Sequence, residues 1–370
     1  MNQNFGAVLA TSQGKILYSK NPDKEFIPAS TLKLLTSLGA IYYLGENFSF
    51  KTDFFIDDNL NLTIKGYGDP LLTSEAIKQI SDKLAYILKQ KKNFSIKAII
   101  IDDTFFALSL KIPGRGVSSN PYDAPSGAFC ANFNTVSFQY SKKKIYVSGE
   151  KETPLLGFTQ KRINASGLEH GRITLSKNES RVYAGMLIKY FLNLNGIQVT
   201  GKVKNGVAAD KKTLILTYRS NYDLNDIIKK LLNYSNNFIA NQLLLTIGAK
   251  AFTPPGTIEK GVKALTDYSK KNIGTEHTKI AEGSGLSRKN RTTPRDMLKI
   301  LLKFKEYHLL MKKNGAEYFK TGTLNGIRTR AGYFTDREKN LYPFVIMVNS
   351  KGDGYSDIKK KLFNLVKERQ

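Results

Sequence analysis

The chain has 370 residues, 41% of them hydrophobic, and its 57 lysine and arginine residues against 31 acidic ones give a net charge of +26. At about 150 residues per domain, this length allows two or three domains with a substantial core. The single cysteine, Cys130, excludes an internal disulfide and a cysteine-based zinc site, and the three scattered histidines have no metal-ligand spacing and give little support to a Ser/His/Asp triad.

The chain begins with a predicted hairpin, Phe5–Thr11 and Lys15–Ser19, followed by an apolar helix that ends at Gly45. We expect residues 51–206 to form a β-rich inserted domain, in which paired strands, two helices and a loop-rich stretch alternate. A small nested subdomain is expected around residues 104–160. No repeat or low-complexity segment interrupts this order.

The remainder of the chain, residues 207–370, is predicted to contain helices first and strands afterwards. The predicted elements are helices at Asp226–Leu232, Phe238–Ile247, Gly256–Lys271 and Thr293–Tyr307, strands at Glu317–Thr321, Arg328–Thr335 and Tyr342–Asn349, and a helix at Ser356–Arg369. The simplest assembly pairs the first hairpin with the last three strands in one antiparallel sheet flanked by helices. Residues 1–50 and 207–370 then form one domain, and the fold class is α+β with an insertion.

The helix after the hairpin carries the first chemical pattern, Ser30-x-x-Lys33. Residues at this spacing share a helical face, and a lysine can act as a base when burial and nearby cations lower its pKa. The helix start also offers free backbone N–H groups to an oxyanion. Taken alone the pattern is weak, because the same spacing recurs elsewhere in the chain and an ordinary helix cap before a solvated lysine explains it better.

Two further patterns follow. Ser235-x-Asn237 lies between two predicted helices, at a junction able to expose both side chains. The only Lys-Thr-Gly of the chain, at 320–322, lies on a predicted strand, where the glycine allows a substrate backbone to approach closely. The stretch Glu282–Ser287 is a glycine-rich loop without a phosphate-binding helix behind it.

The order Ser-x-x-Lys, Ser-x-Asn, Lys-Thr-Gly is that of the penicilloyl serine transferases. Over about residues 5 to 350 the chain resembles the class C low-molecular-mass penicillin-binding proteins, the D-alanyl-D-alanine carboxypeptidase/endopeptidases of peptidase family S13. Beyond the motifs, the similar stretches are Gly68–Thr73, Tyr183–Leu187, Tyr234–Ala240 and Glu282–Arg288. The chain departs from the family at Asn236 and Glu282, where the family usually has Asp.

The resemblance implies a β-lactamase/transpeptidase-like domain with an inserted domain, and a serine D,D-peptidase without metal or cofactor. Ser30 would attack the carbonyl of the penultimate D-alanine, Lys33 would take its proton, and Ser235 would relay that proton to the leaving amine. The cleaved bond would be D-Ala-D-Ala or a D-Ala-diaminopimelate cross-link. The implied partners are peptidoglycan stem peptides, with β-lactams as covalent inhibitors.

The resemblance also implies how the substrate is held. Asn237 would bind the substrate amide, and Lys320 would both keep Lys33 neutral and attract the terminal carboxylate. The backbone N–H groups of Ser30 and Thr323 would form the oxyanion hole, which is worth about 3 kcal/mol per donor. The residues expected to bind substrate on the Lys-Thr-Gly strand are Thr321, Gly322 and Thr323.

Asp123 is a further candidate for substrate binding. It is the only acidic residue between Asp103 and Glu150 and lies in a loop stiffened by Pro121 and Pro125. In the family an acidic residue from this part of the insert reaches toward the cleft, so Asp123 is expected to bind the diaminopimelate ammonium. A turn-capping aspartate explains the residue about as well.

Other functions fit parts of the sequence. A β-lactamase shares the motifs, although no dedicated deacylating glutamate can be placed. A catalytically silent cell-wall-binding module is the other alternative, but it would have no need to keep Ser30, Lys33 and Lys320. Nucleic-acid binding follows only from the charge, which is spread along the chain without a recognisable binding motif, so no nucleic-acid partner is expected. Residues 1–7 lack the features of a signal peptide, which fits a cytosolic protein or a mature exported chain, and the resemblance implies the periplasm or cell envelope.

Overall fold

The computed structural model describes residues 5–118, 120–141, 145–207, 212–350 and 355–368. Its strands are β1 (Phe5–Ala10), β2 (Ile16–Lys20), β3 (Ser49–Asp57), β4 (Asn61–Gly66), β5 (Ser95–Ile96), β6 (Ala98–Asp102), β7 (Thr135–Tyr140), β8 (Tyr146–Ser148), β9 (His170–Thr174), β10 (Gln198–Val199), β11 (Val203–Asn205), β12 (Lys212–Asp223), β13 (Lys312–Asn314), β14 (Glu317–Leu324), β15 (Ile327–Thr335) and β16 (Leu341–Val348). Its α-helices are α1 (Lys33–Leu44), α2 (Ser74–Gln90), α3 (Gly157–Ser166), α4 (Lys177–Leu194), α5 (Leu224–Tyr234), α6 (Asn237–Phe252), α7 (Ile258–Tyr268), α8 (Pro294–Phe304) and α9 (Tyr355–Lys367). The predicted end of the last helix, Arg369, lies outside the described residues.

Six antiparallel strands form the sheet of the first domain, in the order β13-β14-β15-β16-β1-β2. The first hairpin and the last three strands pair as predicted, and β13 adds an edge strand too short for a sequence pattern. Side chains of β16 alternate between two cores, since Val345 and Met347 enter one and Phe344 and Ile346 the other. Because both faces of the sheet are covered, β16 is apolar along almost its whole length.

Helices cover both faces of this sheet. The larger core contains residues of α1, α5, α6, α7 and α8, whereas α9 packs on β15 and β16 through Leu362 and Val366. Every residue of α6 from Phe238 to Ala249 is buried, as its mostly apolar sequence requires. Asn237 is thus held at the start of a deeply buried helix. Among the described helices, none is long and apolar enough to span a membrane.

The insert contains a second sheet of five strands, in the order β11-β6-β4-β3-β12. The β11-β6 and β6-β4 pairs are parallel, and the β4-β3 and β3-β12 pairs are antiparallel. Helices α2 and α4 pack against each other and contribute Leu84 and Leu187 to the core of the insert. A three-stranded sheet, β8-β7-β9, and a short parallel pair, β10-β5, complete it. The α+β class predicted from the sequence is the one observed.

The insert extends further along the chain than predicted. β12 pairs with β3, and Tyr218 contributes to the core of the insert, so its sheet closes at Asp223 and not at residue 206. The three-stranded sheet runs from Thr135 to Thr174, beyond the nested subdomain expected at 104–160. Because β12 and its partner β3 lie far apart in sequence, no local pattern marks the end of the insert.

Candidate active site

Ser30 lies in a tight turn that precedes the first helix. Residues Ala29–Leu32 form a 3-10 turn, and α1 begins only at Lys33. Ala29 has a φ of 47°, in the left-handed region, where a non-glycine residue costs about 1–2 kcal/mol. Residues three apart are eclipsed in 3-10 geometry, so the turn brings the Ser30 and Lys33 side chains together. Strain of this kind persists when surrounding contacts fix the turn.

Lys33 is the centre of the site. Its side chain is fully buried, and its Nζ lies 2.9 Å from Ser30 Oγ, 2.8 Å from Asn237 Oδ1 and 2.6 Å from the carbonyl oxygen of Ser284. These contacts join the start of α1, the start of α6 and the loop Glu282–Ser287. Two segments that follow Lys33 by more than two hundred residues therefore converge on its amine.

Two buried lysines set the electrostatics of the site. Burial, and secondarily the charge of Lys320, hold the pKa of Lys33 well below its usual range, while the Glu282 carboxylate acts in the opposite direction. Burial and the nearby Lys312 lower the pKa of Lys320 to about 8. The Lys320 side chain is only 2% exposed, and its Nζ donates to the carbonyl of Thr321. A lysine in these surroundings can be neutral at moderate pH and act as a base.

Two glycines allow neighbouring segments to approach the nucleophile. A Cβ atom at Gly322 would lie 2.7 Å from the backbone nitrogen of Ser30, and one at Gly285 would lie 3.0 Å from the same atom. Gly285 also has a φ of 83°, which favours glycine. The Lys-Thr-Gly strand therefore runs directly against the turn that carries Ser30, as the role expected for its glycine requires.

The rest of β14 offers an edge to a substrate. β13 pairs with β14 only as far as Phe319, so within the described strands the edge from Lys320 to Leu324 is free on that side. Thr321 is half-buried and Thr323 is exposed, one on each side of Gly322. An extended peptide can add to such an edge through backbone hydrogen bonds.

Ser235 occupies the junction between α5 and α6. It is half-buried, and its φ of 54° and ψ of 36° place it in the left-handed region that ends α5. Asn236 then caps α6 by accepting from the backbone N–H of Ile239, which turns the chain so that Asn237 reaches Lys33. Within the described part of the chain no hydrogen bond joins the Ser235 hydroxyl to Ser30 or Lys33.

The loop Glu282–Ser287 is part of the site, which sequence reasoning missed. The carbonyl of Ser284 bonds to Lys33, and the preceding carbonyl of Gly283 accepts from Thr36 Oγ1 at 2.7 Å. The sequence marked this loop as glycine-rich and as similar to the family. Backbone carbonyls carry no residue signature, so their contact with the lysine could not be read from it.

The structure places Asp123 within its own loop. The residue is 3% exposed, and its carboxylate accepts from Gly116 N at 2.7 Å and from Ser118 Oγ at 2.6 Å. Its backbone carbonyl accepts from Arg115 Nε. These contacts brace the loop, and binding of a diaminopimelate ammonium by Asp123 stays a prediction. Among the described residues no cluster of three or more His, Cys, Asp or Glu could hold a metal ion.

The fold and this site together define a serine-type acyl-transfer enzyme, and known proteins resemble it along the whole chain. D-alanyl-D-alanine carboxypeptidase DacB of Haemophilus influenzae is 24% identical over 96% of this chain and 87% of its own. The crystal structure of penicillin-binding protein 4 (DacB) from H. influenzae superposes with a TM-score of 0.77, at 21% identity, covering 99% of this chain and 96% of that one. A penicillin G-acylated predatory endopeptidase from Bdellovibrio bacteriovorus, in complex with an immunity protein, gives a TM-score of 0.55 at 18% identity, covering 98% and 89%.

The profile of the D-Ala-D-Ala carboxypeptidase 3 (S13) family matches residues 1–166 and 158–312. The chain therefore belongs to this family. The match confirms the resemblance seen in the sequence, and with it the predicted serine-type D-Ala-D-Ala peptidase activity. The likeness to penicillin-binding protein 4 confirms the predicted transpeptidase-like fold with an inserted domain.

Proposed function

We propose that the protein cleaves D-Ala-D-Ala peptide bonds of peptidoglycan through an acyl-enzyme on Ser30, with Lys33 as its base. The observation that carries this proposal is the contact of 2.9 Å between Nζ of the buried Lys33 and Oγ of the half-buried Ser30. A serine hydroxyl becomes nucleophilic only when a base accepts its proton. Lys33, with its lowered pKa, lies within hydrogen-bond distance of the Ser30 hydroxyl and can act as that base.

The partners of Lys33 favour that proton transfer. A neutral amine has two N–H donors and one lone pair. Asn237 Oδ1 and the Ser284 carbonyl are acceptors only, so they take the two N–H groups. The lone pair is then directed at the Ser30 hydroxyl, which donates its proton as the bond from Oγ to the substrate carbonyl carbon forms.

The developing oxyanion is stabilised by the backbone N–H groups of Ser30 and Thr323. The close approach of Gly322 to Ser30 N supports this placement, since it sets β14 against the turn of the nucleophile. Lys320, with Thr321 and Thr323, binds the terminal carboxylate of the substrate. Because these carboxylate contacts are present in the ground state and the transition state alike, they lower KM more than they raise kcat.

Collapse of the tetrahedral intermediate releases D-alanine. The proton held by Lys33 passes through the Ser235 hydroxyl to the leaving nitrogen as the carbon–nitrogen bond breaks. Water then hydrolyses the ester on Ser30, with Lys33 again taking a proton. The half-buried position of Ser235, two residues before Asn237, supports its role in the relay.

β-Lactams are proposed to acylate the same serine, because a related endopeptidase of the same fold has been captured acylated by penicillin G. Peptidoglycan lies outside the cytoplasmic membrane, so the protein is proposed to work in the periplasm or cell envelope. Both carboxypeptidase cleavage of D-Ala-D-Ala and endopeptidase cleavage of D-Ala-diaminopimelate cross-links use the chemistry described above.

Release of D-alanine from a peptide ending in D-Ala-D-Ala tests the proposal. The wild-type protein should release D-alanine, and Ser30→Ala should release none while unfolding at the wild-type temperature. Gly157→Ala is a suitable control, since a Cβ there meets nothing within 4 Å and the residue lies in the insert. Equal release by wild type and Ser30→Ala would refute the role of Ser30.

A further inference from the structure

Glu282 is a buried carboxylate that the reaction described above does not use. Its side chain is fully buried, and both oxygens are saturated with hydrogen bonds from uncharged donors. Its five donors are Ser284 N at 2.7 Å, Ser284 Oγ at 2.6 Å, Asn241 Nδ2 at 3.2 Å, Asn290 Nδ2 at 2.9 Å and Ser287 N at 3.2 Å. A buried carboxylate is costly unless its environment compensates it, so this arrangement calls for a role.

These bonds fix the loop Glu282–Ser287 from within. The carboxylate holds both the N–H and the hydroxyl of Ser284, and it also holds the N–H of Ser287 at the far end of the loop. Asn241, on α6, accepts from the N–H of Gly283 while donating to Glu282. The conformation of the loop is therefore set by the Glu282 side chain at its first position together with Asn241.

The fixed loop presents two successive carbonyls to α1. Gly283 O accepts from Thr36 Oγ1 at 2.7 Å, and Ser284 O accepts from Lys33 Nζ at 2.6 Å. The second contact is one of the two that direct the lone pair of Lys33 toward Ser30. Displacing the Ser284 carbonyl would free one N–H of the amine and let the lone pair rotate away from the hydroxyl.

Glu282 also balances charge. The charged groups that face Lys33 are Lys320 on β14, which disfavours its ammonium form, and Glu282, which favours it. When Lys33 takes the proton of Ser30, a second cation forms beside Lys320. The carboxylate stabilises that cation at the moment when it is needed.

We propose that Glu282 is a positioning residue of the acylation step, which holds the Ser284 carbonyl against Lys33 and supplies the negative charge that stabilises its protonated form. This rests on the proposed acyl-enzyme at Ser30. Glu282 acts through Ser284 and Lys33 and does not touch the substrate.

The test measures the second-order rate of acylation by a fluorescent penicillin against pH, in the full chain and in Glu282→Gln. We expect the rate to fall about tenfold to a hundredfold at neutral pH, the range for one charged hydrogen bond. The acid limb of the curve of acylation rate against pH should also move to lower pH, because the pKa of Lys33 falls further when the Glu282 anion is absent. A residue that only supports the fold would not move this limb.

Asp296→Asn provides the matched control. Asp296 is likewise a buried carboxylate, bonded to the backbone N–H groups of Glu276 and His277 and to Thr278 Oγ1, with Lys299 Nζ 3.9 Å away, but it is not among the charges that shift the pKa of Lys33. Its variant should lose stability while keeping the wild-type acid limb and rate. The proposal is overturned if Glu282→Gln folds and, like this control, keeps the wild-type acylation rate and acid limb.

Ser284→Ala carries the test if Glu282→Gln does not fold. It removes the bond of 2.6 Å from Ser284 Oγ to Glu282 but keeps the charge and the carbonyl. Acylation should slow about tenfold with the acid limb unmoved, since one hydrogen bond to the carboxylate is lost while its charge remains. An unchanged rate overturns the positioning role. Absence of labelling in the wild type would instead contradict the acyl-enzyme itself.

Discussion

At the scale of single residues, the left-handed backbone of Ser235 links stability to activity. A serine at φ 54° is strained by about 1–2 kcal/mol. Glycine relieves this strain, but its greater conformational freedom in the unfolded chain offsets part of the gain in stability. Ser235→Gly should therefore raise the free energy of unfolding by about 0.5–1 kcal/mol. It should also slow D-alanine release, because the hydroxyl of the relay is gone.

Denaturant unfolding and peptide cleavage of the same samples check this prediction. Ser235→Ala is the control: it lacks the hydroxyl but keeps the strain, so only activity should fall. A Ser235→Gly variant that cleaves the peptide at the wild-type rate would exclude the hydroxyl from the proton relay.

The two lysines predict a bell-shaped dependence of kcat/KM on pH. Lys33 must be neutral to act as a base, so activity rises as it loses its proton on the acid side. Lys320 must be charged to attract the carboxylate, and with a pKa of about 8 its charge is lost as pH rises through that value. We therefore expect KM to increase on the alkaline side. Steady-state kinetics from about pH 5 to about pH 10 test this, and an alkaline loss in kcat with constant KM would contradict it.

Substitution of each lysine separates the two roles. Lys33→Ala should abolish acylation, whereas Lys320→Ala should mainly raise KM, with a smaller loss of kcat because Lys320 also lowers the pKa of Lys33. Acylation by penicillin and cleavage of the peptide measure both effects. Equal losses confined to kcat in the two variants would show that the roles are not divided in this way.

At the scale of elements, the contact between β14 and the Ser30 turn sets the geometry of the site. Gly322→Ala would place a methyl group 2.7 Å from Ser30 N, so either the strand or the turn must move. We expect loss of about 1–3 kcal/mol in stability and of nearly all acylation. Gly157→Ala, where nothing lies within 4 Å, should leave acylation unchanged and should not lower stability. Retained acylation in Gly322→Ala would mean that β14 does not form one wall of the oxyanion hole.

The loop that carries Asp123 offers a second test at this scale. If Asp123 braces the loop, Asp123→Asn should lower the unfolding temperature, because bonds from Gly116 N and Ser118 Oγ weaken. If it binds the diaminopimelate ammonium, the variant should cleave diaminopimelate peptides about tenfold to a hundredfold more slowly and react normally with penicillin. Measuring all three quantities distinguishes the two roles.

The long elements could be predicted from the sequence because each has a local signature, whereas the catalytic roles given to the three motifs stay predictions. Ser30 and Lys33 are close because their spacing suits a helical turn, and the 3-10 geometry only tightens it. What could not be predicted depends on distant partners: the pairing of β12 with β3, the two-to-three-residue strands, and the Ser284 carbonyl on Lys33. Such contacts are made by backbone groups that every residue possesses.

At the scale of the whole molecule, the net charge of +26 should accelerate capture of anionic substrates. Benzylpenicillin carries a carboxylate, so its second-order acylation rate should fall as salt increases from about 0.01 M to about 0.5 M. Unfolding temperatures at both salt concentrations show whether the fold is unchanged. A rate independent of salt would mean that the surface charge plays no part in substrate capture.

The central claim is that Ser30 is acylated, and mass spectrometry of peptides from the protein treated with benzylpenicillin tests it most directly. We predict one penicilloyl adduct, on the peptide that contains Ser30, and none in Ser30→Ala. An adduct on Ser235 or Ser284, or the same adduct in Ser30→Ala, would contradict the assignment of the nucleophile.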